Sequence, residues 1–488
     1  MSCACLTIAE AQQGGGGGGT GGNGNGGNGG GDDSGMNGGG MGDSGGTGDS
    51  GSSSSVGSAS ATGYSQSSGD STVTGAVYTS TNSDENAVQI TGGTFTMTDC
   101  TVTKSGGDTS DSDGSSFYGI NSAVYCAGSS SVLNISGGTV TTSATGANGI
   151  MAYNYGTINA TDVTVTTSSN LSRGIHATGG GVINATNLTI TTSKTNCSVI
   201  ATDRGGGTVT VNGGTYTTTG DDSAITYSTG TITANDITGS SANGEIGVIE
   251  GDNSITLNNC DMTSGSASRG LMILQSGSGD SEGYNGTITV NGGQLTLTGS
   301  STPLLEVPTD ITATLTLKDV TLTIPGNVLM YVDYNTRWTT YGGTGNLVLS
   351  TDSAWTYTGD VNADEYSTAV VTVEEGVTWN GAMDNSDEAA STTATVNGVW
   401  NLTGDSYVDN LTVNEGATVN TCGYTLTYGT LTGSGTISSA IASVTYAADD
   451  DPADVYSLGG TLVRTNVRDI RSLPAGTYIY KNKKVIVP

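Results

Sequence analysis

Phenylalanine occurs twice, histidine once, and lysine plus arginine only 13 times in 488 residues. Each scarcity excludes something. Two Phe and one His leave no aromatic-rich helical core and no multi-histidine metal site. Thirteen basic residues against 44 acidic ones give a net charge of -31. That balance excludes a sequence-independent nucleic-acid binder, which needs clustered Lys and Arg to meet phosphates. It also argues against recognition of anionic membrane surfaces. No run approaches the ~18 apolar residues of a membrane helix. The seven cysteines (Cys3, Cys5, Cys100, Cys126, Cys197, Cys260 and Cys422) form no C-x-x-C pair, so neither a zinc site nor a disulfide framework is indicated. The alternation described below turns Cys100, Cys126 and Cys260 inward, where a free thiol packs as a small hydrophobe.

Glycine is what the chain has in excess: 80 residues, about 16%, against an ordinary share of roughly 7%. Charged residues make up only 12%, so the surface must be mostly hydroxyl, amide and backbone. The opening MSCACLTIAEAQQ contains Ala9-Glu10-Ala11, a small-x-small signature for signal-peptidase cleavage before Gln12. Residues 1–13 are therefore read as the remnant of an export signal. Residues 14–68 are Gly, Ser, Asn and Asp with little to bury, and a disordered, Gly-rich tether is expected there.

Beyond the tether the chain repeats itself. Segments matching TVTVNGGTYTTT start at Asp70, Thr94, Val132, Thr157, Val182, Thr208, Thr231, Ser254, Thr287 and Thr314. Most intervals are 23 to 27 residues; the longer ones pass through GGDTSDSDGSS and SGSGDSEGYNG, which read as inserted surface loops. Within each unit two short strands flank a turn of Asn-Gly-Gly, Thr-Asp-Val or Thr-Asn-Leu type, suited to positive φ. A third strand follows, as in GIMAY, GIHAT, SVIAT, SAITY and GLMIL. The second strand alternates strictly: Val102, Val140, Val165, Ile190, Tyr216 and Met262 would face in, while Thr101, Thr139, Thr164, Thr189 and Thr215 would face out. One such unit cannot bury its apolar side alone, whereas stacked units share a continuous core. The expected fold is all-β, a parallel β-helix over residues 69–345. In this pattern the segment resembles the right-handed, pectin-lyase-like β-helices of bacterial surface proteins, and right-handedness is what the resemblance implies.

Residues 346–445 continue with altered spacing. Trp355, Trp379 and Trp400 recur 24 and 21 residues apart, with Val419 at the next place. They are expected inside as a stacked column, and WNLTGDSYVDNLTVNEGATV resembles rungs of autotransporter-like adhesin passengers. Looser corners are expected there. Residues 446–488 differ in composition and hold six of the 13 basic residues. Two alternating strands with a Pro/Gly turn predict a small C-terminal β unit. Tyr456-x-Leu458-x-Gly460-x-x-Val463, then Leu473-Pro474-x-Gly476-x-Tyr478-Ile479 and Lys483-Lys484-Val485, resemble the C-terminal sorting domain of type IX secretion cargo. That resemblance implies a sorting or anchoring segment.

Candidate chemistry is sparse. Arg173 and Arg269 hold matching places four rungs apart and cannot share one substrate bond; Asp203 and Asp252 hold similar positions two rungs apart. Asp221-Asp222 lies at a corner where solvation is the simplest account, although a calcium ion there is conceivable. No cofactor is otherwise indicated. The outward part of the third strand is less ordinary: Tyr125, Met151, His176, Ala201, Thr226 and Met272 would form one column, flanked by Arg173 and Arg269. Either the column is an open binding row or the two inserted loops fold over it. The function expected is non-catalytic binding of extracellular polysaccharide or host glycan at the outer surface of a bacterium or in the medium. The alternatives are a lyase or hydrolase of the same fold and, from the Thr-x-Thr ladder, an ice binder. For the last, the long interval after Thr101 and the change to Asp261 and Gln294 are expected to spoil the flatness.

Overall fold

The computed structural model describes residues 58–439, apart from 277–278, 301 and 336–340, and residues 453–487, apart from 468–472, 475 and 481–482. They fall into two compact units, divided between Ser439 and Ala440. The first is a parallel β-helix. A representative rung runs Gly181–Thr192, bends midway, and returns through Ile200–Thr202. The bent pair of strands joins a large sheet of 23 strands and the return strand joins a second sheet of 12.

The ten repeat starts align in one column, each paired to the next in register from Asp70 to Thr314. The column continues through Asn346, Val370, Thr393, Asn410 and Thr430. The corner between paired strands explains the repeat. Asp99, Gly137, Asp162, Asn187, Gly213, Asp236, Asn259, Gly292 and Asp319 occupy successive corners with φ between 51° and 66°. Only glycine and short polar residues enter that region at low cost. Gly214, next to such a corner, also has no room for a side chain, since a Cβ there would lie 2.2 Å from the Leu188 carbonyl oxygen.

Period-two alternation then fills the interior. Val102, Val140, Val165, Ile190, Tyr216, Met262 and Leu295 stack in register and are buried. Buried free thiols at Cys100, Cys126 and Cys260 belong to the same core, while Cys197, also buried, donates its thiol to the Ser169 carbonyl at a turn. Outside, Thr101, Thr139, Thr164, Thr189, Thr215 and Thr238 form an exposed ladder. The long insertion does not interrupt it, because Thr101 pairs directly with Thr139 and the inserted residues leave from the far end of the strand. Asn212, Asn235, Asn258 and Asn291 form a second ladder, each amide donating to the preceding one at 2.7–2.9 Å.

Three boundaries differ from expectation. Ser58–Gln66, assigned to the tether by composition, is a strand paired with Glu85–Ile90, and Tyr64 stacks on Phe95 with ring centroids 4.1 Å apart. The tether reading for residues 14–57 and the export remnant lie outside the described residues. Toward the other end the rungs lose a side: the second sheet ends at Asp360–Ala363, and from Trp355–Thr358 onward the second strand of each rung belongs to a five-strand sheet of its own. In it Trp379 stacks on Trp400 and Val419 follows, but Tyr357, not Trp355, precedes Trp379. Trp355 faces Val377 instead, two residues off the column. The C-terminal unit is one antiparallel sheet of four strands rather than two. Its order is Leu462–Val467, Ala453–Ser457, Gly476–Tyr480, Lys483–Val487. Val455, Val467, Leu473 and Tyr480 form its small core.

Candidate functional site

Register places Tyr125, Met151, His176, Ala201, Tyr227, Val248 and Met272 in one row on the outer face of the 12-strand sheet. Thr226, expected in this row, instead faces inward opposite Ile200, and Tyr227 takes its place. The inward hydroxyl is tolerated because it donates to the Ile246 carbonyl at 2.8 Å.

The row is not an open surface. Tyr125, Met151 and His176 are fully buried and Met272 is 1% exposed. The first inserted loop lies over the Tyr125–His176 end of the row, with a single π-helical turn at Gly114–Tyr118, while Met272 packs with Ala224, Val248 and Leu274. Ser115 donates to the Gly146 carbonyl at 2.6 Å, and Thr178 donates to the Phe117 carbonyl at 2.7 Å. Arg173 Nη1 donates to Ser116 Oγ at 3.0 Å. Gly119 passes so close to the row that a Cβ there would lie 2.6 Å from the Tyr125 ring. Of the two arrangements open to the column, the molecule adopts the covered one, and a free apolar binding row is ruled out in this state.

Beneath and beside this cover the structure gathers charges that the rung spacing had scattered. Arg173 Nη2 lies 3.2 Å from Asp203 Oδ2, and His176 Nε2 lies 3.8 Å from the same oxygen. Neither imidazole nitrogen has a hydrogen-bond partner among the described residues. Burial, then the Arg173 charge, holds His176 well below its ordinary pKa, so the ring is neutral. Burial pushes Asp203 up to about 6 against the pull of Arg173, and the Asp280 and Glu250 charges add to the rise. Two rungs on, Glu250 takes the position expected of Asp252. It accepts the Tyr227 hydroxyl at 2.9 Å and a short bond from Ser276; Asp252 is exposed.

Arg204 ties the two inserted loops together. Its Nε and Nη2 lie 3.1 and 2.6 Å from Asp280 Oδ1 in the second loop. Its guanidinium sits 4.0 Å from the centroid of Phe117 in the first, a favourable cation–π geometry. Tyr118 meets Tyr153 edge-on at 5.8 Å, and Tyr155, two residues further, is 64% exposed. Aromatic faces, one guanidinium and one carboxylate thus share the rim of the cover. Phe117, Tyr118 and Asp280 did not stand out in the sequence, because the insertions give no sign of where they land; Tyr153 and Arg204 sit on regular rungs and gain a role only from the loops folded against them.

Arg269 belongs to a different cluster. It lies 3.5 Å from Glu245, 3.1 Å from Glu306 and 3.0 Å from the Met272 sulfur, largely buried. Next to it, burial and the Glu306 and Asp364 charges push Asp333 up to about 7. At the Asp221–Asp222 corner, Asp221 accepts the Asn243 amide at 2.9 Å. No group of three or more His, Cys, Asp or Glu among the described residues is arranged to hold a metal ion. No helix among them is long and apolar enough to cross a membrane. Compared with known proteins, the chain matches no family model, no curated protein and no solved structure.

Proposed function

We propose that this protein is a secreted or cell-surface binding protein for extracellular polysaccharide or host glycan, acting without bond cleavage. The observation that carries the reading is the rim, where Tyr118, Tyr153 and the exposed Tyr155 present rings and the Arg204–Asp280 pair is seated on the buried Phe117. Ring faces pack against the C–H faces of sugars, while a guanidinium and a carboxylate bond paired hydroxyls. The stiff rung stack supplies the preorganisation that weak polar contacts need. The net charge of -31 favours neutral glycans over polyanionic ones. Export fits the Ala9-Glu10-Ala11 signature, and delivery to the outer surface fits the type IX sorting resemblance of the tail from Tyr456 to Val487. A glycan array probed with the full chain tests the reading. Neutral oligosaccharides should bind, and Tyr153→Ala or Arg204→Ala should weaken binding at least tenfold at unchanged circular dichroism. Absence of binding to every glycan would sink it.

One observation favours cleavage as a second reading. Asp203, held between Arg173 and His176 with a pKa of about 6, suits general acid catalysis near neutral pH. Release of reducing or unsaturated ends that disappears with Asp203→Asn would establish it.

A further inference from the structure

We propose that Asp203, Tyr227, Thr229 and Glu250 form a hydroxyl-binding subsite beneath the Arg204–Asp280 ion pair, which closes it. The inference rests on the glycan reading and extends it inward from the rim. These residues occupy three successive rungs of the 12-strand sheet: Ile200–Thr202 leads to Asp203, Thr226–Ser228 leads to Thr229, and Gly247–Glu250 ends at Glu250. Tyr227 and Val248 pair across the last two, so Thr229 stands beside Glu250. Two residues of the second loop flank this strip: Ser276 bonds Glu250 and Asp280 reaches Arg204.

Two side chains point to a missing partner. Thr229 is 3% exposed and His176 is fully buried, yet Thr229 Oγ1 and both His176 ring nitrogens have no hydrogen-bond partner among the described residues. Buried hydroxyls without partners cost on the order of 1–3 kcal/mol each, which a bound hydroxyl group would recover. The carboxylates of Asp203 and Glu250 and the oxygen of Tyr227, whose O–H is given to Glu250, are acceptors, while Arg173 and the Thr229 hydroxyl are donors, the pairing that vicinal sugar hydroxyls require. A metal ion fits less well, as the acids are not arranged to share one.

The cover can yield without disturbing the stack. Ser281, Glu282 and Gly283 are held at their base by Gln275, Asn253 and the Asp252 amide. Across the strip, the Arg204–Asp280 pair joins side chains that are 43% and 22% exposed. A pair in that setting is weakened by salt. A ligand hydroxyl that displaces Asp280 from Arg204 would open the strip to the rest of the sugar.

Thiol labelling tests this in the full chain, with Cys3, Cys5 and Cys422 changed to serine. Thr229→Cys reports on the strip, and the native thiols Cys100, Cys126 and Cys260, buried in the core of the rungs, report on general opening. Adding Asp280→Asn, or raising salt to about 1 M, should speed maleimide labelling of Thr229→Cys at least tenfold and leave labelling of the core thiols unchanged. Equal acceleration of both would mean general loosening, and no acceleration would mean no closure; either result overturns the proposal. A neutral oligosaccharide selected on the array should then slow labelling of Thr229→Cys in the Asp280→Asn chain. Binding without protection overturns the subsite while leaving the rim reading intact. If no glycan binds any form, the glycan reading fails and the subsite with it, while the labelling still decides the closure.

Discussion

Trp379 and Trp400 lie one rung apart with ring centroids 4.8 Å apart and planes 13° from parallel, both fully buried. Each indole N–H donates at 2.9 Å to a glycine carbonyl, Gly359 for Trp379 and Gly381 for Trp400. The pair is therefore satisfied in polarity as well as packing, which buried indoles require. It sits where the rungs have already lost their third strand, so the narrowed end relies on it.

The first prediction follows. Trp400→Ala should cost about 3–5 kcal/mol, the range for large buried aromatics. In a stack stabilised by nearest neighbours the loss should stay local. Hydrogen exchange should quicken in 377–438 well before it changes in 101–300. Uniform quickening along the whole stack would show that the rungs fold as one indivisible block.

Register supplies the second. Val165 is fully buried between Val140 and Ile190, whereas its neighbour Thr164 is exposed between Thr139 and Thr189. Val165→Asp places an unpaired carboxylate in the core and should cost several kcal/mol; Thr164→Asp should change stability by about 0.5 kcal/mol or less. Equal melting temperatures for the two variants would mean that the faces are exchanged.

The rung pattern was legible because it is local. Corner residues such as Asp162 and Asn187 mark the left-handed turn, and the alternation around Val165 marks the faces, so the ten repeat starts landed in one column. The site was legible only in part. Arg173 and His176 were found, but Asp203 joined them through a turn that spacing alone had set apart. The cover depends on Arg204 meeting Asp280 76 residues later, a pairing that no periodicity encodes. The slip from Tyr227 to Thr226 has a similar origin: an inward threonine bonded to main chain carries no polarity signal. Trp355 was misplaced because strand alternation fixes inside against outside but not which of two inward columns a side chain joins.

The third prediction concerns pH. Asp333 is raised to about 7 by burial and by Glu306 and Asp364, with Arg269 opposing. Its folded pKa exceeds the unfolded value near 3.9, so the folded protein holds the proton more tightly. The resulting stability is fully present below about pH 4 and is lost as pH rises through about 7. Asp333→Asn should therefore stabilise the fold at pH 8, by an amount that solvent screening limits to about 1 kcal/mol, and so raise the melting temperature there. It should also flatten the dependence between pH 4 and 8. A lower melting temperature for the variant at pH 8 would show that the carboxylate is favourably paired instead.

The last prediction concerns the division at Ser439. The β-helix and the four-stranded sheet are separate compact units, each with its own core. Truncation after Ser439 should therefore leave the β-helix spectrum and melting temperature unchanged, because no rung loses a strand. If the tail acts as the sorting signal that Tyr456–Val487 resembles, the truncated chain should fold yet fail to reach the outer surface, and proteolysis of intact cells should spare it. Surface exposure of the truncated chain would reduce the tail to a passive domain. A truncated chain that unfolds would mean that the β-helix needs the tail for stability, so that loss of surface delivery could no longer be credited to sorting.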